Sequence, residues 1–323
     1  MLQQLANSDL LPGWSRARST SPTITIDHSF LSSGELEQLC RTIGYRCRIT
    51  QITPGPLIGR IRVSKTLGFP VVRIDSSQGL NFQGDRNPAV MQIAIELNQD
   101  LELHLVKGER LPPHAFSGFQ GSSSEIFFSI SPGASMCVGS MPKDHVRSLA
   151  GEIYGDPVLE RLHHQNICQV KPAHFARMAQ TLVRGASNNV PSQTCAADAD
   201  DAVLSFLEGI DQSDQQNAPS RAYRNVDLVR DFVALTHESC SDTALTMSDL
   251  TQRLFISKTV LSVAIRQATG LSPLTLMRNV RLEQVRKALL SGLHSGSVGD
   301  VALRYGFPSR GHFSRDYCDL FGE

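Results

Sequence analysis

Neither sign of charge predominates in this sequence: 31 lysines and arginines face 31 aspartates and glutamates. The molecule as a whole is therefore no polycation, and any attraction to a polyanion has to be local. The balance is uneven, however. Residues 221–323 hold 13 basic against 10 acidic side chains, whereas residues 1–220 hold 18 against 21. Paired cysteines are lacking as well. Cys40, Cys47, Cys137, Cys168, Cys195, Cys240 and Cys318 are scattered and odd in number, with no C-x-x-C pair of metal-site spacing. Free thiols in a reducing cytoplasm are the expected state, and the spacing gives a thiol-based sensor no support. Long apolar runs are absent too. No stretch approaches the ~20 residues of a membrane helix, and Met1 to Thr20 holds no apolar leader core. A soluble, cytoplasmic protein without a membrane partner is the expectation.

A metal enzyme needs several histidines and a carboxylate converging on one ion. Glu102 and His104 would share one face of a strand, but His114 is ten residues away and His163-His164 would diverge on a helix. No His-x-His pair with a following Glu exists. Neither a metal nor a cofactor is expected, and these histidines read as polar surface or singly hydrogen-bonded groups.

What is present is a short pattern that occurs twice near the carboxyl end. Ser257-Lys258-Thr259-Val260-Leu261-Ser262-Val263-Ala264-Ile265 aligns without a gap with Ser309-Arg310-Gly311-His312-Phe313-Ser314-Arg315-Asp316-Tyr317. Each begins with a serine able to cap exposed backbone N–H groups at a helix start. Apolar residues four apart, Leu261 with Ile265 and Phe313 with Tyr317, give each helix one buried stripe. A short helical pattern precedes each copy. Leu250 and Leu254 share a face before the break at Phe255-Ile256; Val298, Val301, Ala302 and Tyr305 do so before Gly306-Phe307-Pro308. Gly306 suits a left-handed helix end, and Pro308 cannot continue a helix. Helix, tight turn, capped helix is the helix-turn-helix plan, whose second helix enters the major groove of DNA. Between the copies, Pro273 to Leu290 reads as one helix, opened by proline and closed by Gly292. Its eighteen residues span roughly 27 Å, near the ~34 Å between successive major-groove faces of a duplex.

This region resembles the DNA-binding domain of the AraC/XylS family of transcriptional regulators. The matching residues are Gly270-Leu271-Ser272-Pro273 with Arg281-Leu282, and Val301-Ala302 through Gly306-Phe307, Ser309, His312-Phe313-Ser314-Arg315 and Phe321-Gly322. The resemblance implies that Thr259, Ser262 and Val263 face bases. Ser257, Lys258 and Arg266 complete the first reading helix, with Lys258 meeting a phosphate. Thr and Val offer methyl contacts to thymine, and Ser bonds to either base. The first helix lacks the Arg that the family often carries at the Val263 position, so weak direct readout is expected. Ser309, Arg310, Gly311, His312, Ser314 and Arg315 form the second reading end, where Arg can bond bidentately to guanine.

Two features depart from the family. Phe255 stands where the first turn usually has glycine, which predicts either a cost of roughly 1–2 kcal/mol or a turn of another shape. The sequence stops at Gly322-Glu323, where the family continues with a Ser-Pro segment and a last helix, which predicts looser packing of the second unit.

Residues 21 to about 142 read as β structure. Short Val/Ile/Phe-rich stretches (Tyr45–Thr53, Ile58–Val63, Val71–Ile74, Ala89–Leu97, Leu101–Val106, Ser124–Ile130, Ser135–Val138) alternate with turn clusters that include Asn81 to Asn87. Such spacing suggests a barrel or a double-sheet jelly roll, led into by a helix over Ser33–Ile43. Helical patterns follow over Pro157–His163 and Pro172–Arg184, then a short one over Asp200–Ile210. Asp211 to Ser220 is the best linker, and Asn225–His237 is the first helix of the next domain. The expected domains are a tail at 1–22, an effector or dimerisation domain at 23–185, a linker at 186–220 and a DNA-binding domain at 221–323. The helix-turn-helix units fall at about 247–268 and 297–319.

The fold class is therefore α+β in two domains: by resemblance, a cupin-like β-barrel with following helices, then an all-α tandem helix-turn-helix domain. The function expected is a non-enzymatic, sequence-specific regulator of transcription, an activator. Its implied partners are double-stranded DNA, a small-molecule effector, RNA polymerase and a second copy of the chain. Two rivals stay open. One is an enzyme, either a barrel-based catalyst or a DNA-repair alkyl acceptor, although no cysteine lies in the activated motif the latter needs. The other is an interaction-only protein whose shortened carboxyl end no longer binds DNA.

Overall fold

Alternating apolar side chains build the first half of the chain. In the computed structural model, which describes residues 26–65, 67–99, 104–187, 196–213, 225–238, 245–292 and 296–323, the order begins β1 (Ile26–Phe30), α1 (Ser33–Thr42), β2 (Cys47–Gln51) and β3 (Gly59–Ser64). β4 (Val71–Ser76), β5 (Leu80–Asp85), β6 (Val90–Glu96), β7 (Leu105–Val106), β8 (Glu109–Arg110) and β9 (Ala115–Ser117) come next. They are followed by β10 (Glu125–Ile130), β11 (Ala134–Pro142), α2 (Lys143–Ile153), α3 (Asp156–His164), β12 (Ile167–Gln169), α4 (Pro172–Gly185) and α5 (Ala196–Asp211). The second half is helical: α6 (Val226–Glu238), α7 (Met247–Arg253), α8 (Lys258–Thr269), α9 (Pro273–Ser291), α10 (Val298–Arg304) and α11 (Arg310–Phe321). The molecule is thus α+β, with a sheet-rich domain followed by a helical one.

Two open antiparallel sheets face each other, one of seven strands ordered β1-β3-β4-β11-β6-β9-β12 and one of five ordered β2-β5-β10-β7-β8. The arrangement is the double-sheet form of the sequence expectation. Because strand side chains alternate between faces, neighbours go to different cores. Val72, Ile74 and Met136 point between the sheets with Ile49, Leu80, Phe82 and Ile126. Val71, Ile93, Ile95 and Cys137 point outward, where α2, α3, α4 and α5 cover them.

The helix expected inside the linker is part of this outer layer. Phe206, Leu207 and Ile210 of α5 are fully buried in the first domain's core, each burial worth about 1.5–3 kcal/mol. The first domain therefore extends to the end of α5. The expected tail at 1–22 lies outside the described residues, as do 188–195 and 214–220 of the linker and 221–224 of the domain after it.

β5 corrects a second expectation, since Asn81 to Asn87 read as a turn. Its alternate residues Asn81 and Gln83 are polar yet buried. Gln83 Nε2 donates to Asn81 Oδ1 (2.7 Å) and Asn81 Nδ2 to Ser129 Oγ (2.9 Å). Ser129 Oγ in turn donates to the carbonyl of Ala268 at the end of α8 (3.4 Å). A strand in a two-layer sandwich shows polar residues on its wet face. Here that face is covered by the helical domain, and its polar groups bond laterally.

The helical domain holds two small cores strung on α9. Val229, Phe232, Leu250, Leu261, Ile265, Leu276 and Val280 form the first, joined by Phe127 from β10. Leu282, Val285, Val301, Ala302, Phe313, Leu320 and Phe321 form the second. α9 opens on Ser272, whose Oγ accepts from Thr275 N (3.2 Å), with Pro273 in the first turn, and closes on Gly292 at φ 63°. Its 19 residues make a rod of about 28 Å.

Candidate nucleic-acid interface

Each unit starts with a helix fixed by a reciprocal cap. Thr246 Oγ1 accepts from Asp249 N (3.3 Å) while the Asp249 carboxylate accepts from Thr246 N (2.7 Å). Ser297 and Asp300 repeat this at α10 with the same distances. These bonds hold both carboxyls below the usual carboxylate range. The turns that follow are superposable in their bonding. Phe255 N donates to Gln252 O and Ile256 N to Thr251 O (both 3.1 Å); Gly306 N donates to Leu303 O and Phe307 N to Ala302 O (both 3.0 Å). Gly306 adopts φ 85° and Phe255 adopts φ 53°. Of the two outcomes expected for Phe255, the turn keeps its left-handed shape, and the phenylalanine side chain is left 94% exposed.

The reading helices then present one dry and one wet face. In α8, Ser257 Oγ accepts from Val260 N (3.2 Å), and Leu261, Ala264, Ile265 and Ala268 are buried. Ser257, Lys258, Thr259, Val263 and Arg266 are exposed, with Ser262 half-buried. In α11, Ser309 Oγ accepts from His312 N (3.4 Å), and Phe313 is buried. Phe307, Phe313, Tyr317 and Phe321 form a ladder with ring centres 5.5, 5.4 and 4.8 Å apart, inside the preferred aromatic range. Opposite that ladder, Ser309, Arg310, Gly311, His312, Ser314 and Arg315 are all exposed. Arg310 leans back on α10, since a Cβ at Gly299 would sit 2.6 Å from its Nε, and its charge adds to the lowering of Asp300. Gly311 has open space where a Cβ would go.

α9 ties the units together. Arg278 Nε lies 3.3 Å from the Asp316 carboxylate of α11, and Arg281 Nη2 donates to Leu245 O (2.6 Å) at the entry to α7. The carboxyl-terminal end is fastened as well. Leu320 O accepts from Gly55 N (3.0 Å) and Gln51 Nε2 (2.8 Å), and Gly322 abuts Pro56. Arg286 stacks over Phe321 at 4.5 Å and pairs with Glu323 at 2.7 Å. The second unit is thus held by the sheet domain, a contact that the expectation of loose packing omitted.

Sequence reasoning missed this contact between the domains. Asn279, Glu283 and Arg286 recur at three-to-four spacing on α9, a polar stripe beside the apolar positions Leu276, Val280, Leu282 and Val285. That stripe was the readable signal. Glu283, 2% exposed, accepts from Ser33 Oγ (2.6 Å) and Gln51 N (3.0 Å), and burial raises its pKa. Asn279 Nδ2 donates to Gln51 O (3.1 Å), and Lys287 Nζ to Glu37 Oε1 (2.7 Å). Arg230 of α6 pairs with Glu125 at the start of β10. The Ser129 bond to Ala268 holds the carboxyl end of α8 against β10, while Ser257, Lys258, Thr259 and Val260 at its amino-terminal end are exposed.

The histidines weighed as metal ligands are dispersed. His104 is buried 3.3 Å from Glu96, His114 packs edge-on against Phe175, and Glu102 lies outside the described residues. Among the described residues no three His, Cys, Asp or Glu side chains converge as a metal site. No helix there is long and apolar enough to cross a membrane.

Residues 250–323 match the family described as "Helix-turn-helix domain". The AraC-like transcriptional activator CuxR shares 12% identity and a TM-score of 0.41, over 83% of this chain and 95% of its own. ToxT from Vibrio cholerae shares 10% identity and a TM-score of 0.30, over 93% of this chain and 95% of its own. ToxT with an unsaturated fatty acid bound gives the same identity and TM-score over 95% of each chain. Likeness at this level aligns no individual side chain. Residues 250–323, from within the first capped helix through α11, form a helix-turn-helix domain.

Proposed function

We propose that this protein regulates transcription by binding a specific DNA site through α8 and α11 together. The observation that carries the reading is the pairing of two serine-capped helices, each with an exposed polar face, on one buried rod. Phosphate contacts from residues such as Lys258 supply salt-dependent affinity, and contacts of Thr259, Ser262, Val263, Arg310, His312 and Arg315 with base edges supply selection. A well-made base contact is worth about 1–3 kcal/mol. The mechanism is binding, with no covalent step. Activation through RNA polymerase, control by a small effector in the sheet domain and pairing of two copies complete the proposal; the shared boundary between the sheets and the helical domain supports effector control.

A gel-shift titration of the full chain on genomic fragments, with random duplex as competitor, tests the reading. Retention of particular fragments against a large excess of random DNA is expected. Equal competition by random and genomic DNA at every salt concentration contradicts it.

A further inference from the structure

The space between the two sheets is a cavity whose walls and rim differ in character. Its cavity volume is about 80 Å³, or about 780 Å³ when the open mouth and adjoining solvent are counted. Val72, Ile74, Phe82, Phe128, Met136 and Val138 make the walls apolar. Two cations stand at one end, Arg86 just beyond β5 and Lys107 in the turn between β7 and β8. One glutamine holds both. Arg86 Nη1 donates to Gln120 O (2.9 Å), and Lys107 Nζ donates to Gln120 Oε1 (2.9 Å) and to Ser123 Oγ (2.6 Å). Arg86 Nε is buried without an acceptor, and no carboxylate of the described residues lies within ion-pair distance of Arg86.

Two cations withdrawn from water are costly unless an anion or a full set of acceptors offsets them. Burial lowers Arg86 to about 10, and burial together with the Arg86 charge lowers Lys107 to about 8. Asp227 of α6 acts on Lys107 from a distance, and Glu125, which borders the same cavity, is engaged by Arg230. We propose that this cavity binds an organic anion, its apolar body between the sheets and its carboxylate against Arg86 and Lys107. The site deepens, and rests on, the reading of the sheet domain as the effector-sensing part.

β10 gives the bound anion a route to the DNA-binding domain. Its inward residues Ile126 and Phe128 border the cavity, while Phe127 sits in the core of the first helix-turn-helix unit and Ser129 bonds to the end of α8. A ligand that moves β10 moves both contacts.

Titration calorimetry on the full chain, with decanoate, 1-decanol and acetate as probes, separates head from body. Decanoate is expected to bind at least about tenfold more tightly than decanol, because a charge-assisted hydrogen bond gains about that much, while acetate binds undetectably. Arg86→Gln and Lys107→Met should each erase most of the preference and leave decanol affinity unchanged. Circular dichroism identifies a variant that fails to fold, and the wild-type preference stands without it. Equal binding of decanoate and decanol, or no binding of decanoate, overturns the site. DNA affinity measured in parallel keeps the two ideas apart. Decanoate-selective binding without a change in DNA affinity supports the site and overturns effector control. A DNA response to both probes alike supports effector control and overturns the anion site.

Discussion

Thr246 and Ser297 cap their helices with the same bonds, and Phe255 and Gly306 carry the chain through the same left-handed turn. The two helix-turn-helix units then diverge. The first shares its core with Phe127 of the sheet domain, ends α8 on Ser129, and offers mainly small side chains to its exposed face. The second meets the sheet domain at the far end of α11, through Leu320 and Gly322, and exposes Arg310, His312 and Arg315 together. In the function proposed above, the first unit, which shares its core with Phe127, serves as the joint to the sheet domain, and the second, with its exposed Arg310, His312 and Arg315, serves as the stronger reader.

That comparison can be broken at several points. Leu261→Ala empties a fully buried position of the first core, and a loss of about 2–5 kcal/mol is expected in chemical denaturation. Because Phe127 shares that core, the sheet domain should unfold in the same transition; separate transitions would argue against the joint. Arg315→Ala, at an exposed position with no ion pair among the described residues, should cost about 1–3 kcal/mol of preference for the true site. Lys258→Ala in the first unit should instead weaken all sequences alike and reduce the salt slope by about one. Equal losses on specific and random DNA for Arg315→Ala would contradict the role given to the second unit.

Acid should distinguish the units too. Burial, with Arg48 and Lys287 nearby, lowers His237 beside the first core to about 3, against about 6.5 when unfolded. The unfolded chain then binds the extra proton first, so stability falls as pH drops from about 6.5 toward 3. Glu283 acts the other way, since its raised pKa lets the folded state gain the proton first above the ordinary carboxylate value. Urea midpoints between pH 7.5 and 5 should therefore decline in the wild type and decline less in His237→Gln. Smaller effects test the turns. Phe255→Gly relieves the left-handed strain of an exposed residue, and a net gain of about 1 kcal/mol or less is expected in thermal melts. Gly311→Ala meets no neighbour and should stabilise α11 by up to about 1 kcal/mol.

The helical half was legible because its signals are local. Serine caps, Pro273, Gly292 and Gly306, and apolar stripes at helical spacing locate α7 to α11 within a few residues. The sheet half was legible only where alternation met a dry core and a wet face. β5 escaped because its outward Asn81 and Gln83 are buried beneath another domain, and α5 was assigned to a linker because nothing local reveals that Phe206 and Ile210 reach across to α3 and α4. The cavity cations could not be found from sequence, since Arg86 and Lys107, at the ends of separate strands, are brought together at Gln120 by the fold. For the candidate interface, the exposed ends of α8 and α11 fall where the repeat indicated. The polar stripe of α9 that joins the domains was present in the sequence but unread.

The central claim is that both reading helices engage one duplex at once. Hydroxyl-radical footprinting of the full chain on its best genomic fragment tests it most directly. Two protected patches about 10 bp apart on one face of the duplex are expected, the stronger under the second unit and selectively lost in Arg315→Ala. A single patch, unchanged by substitutions in one of the two units, would contradict it.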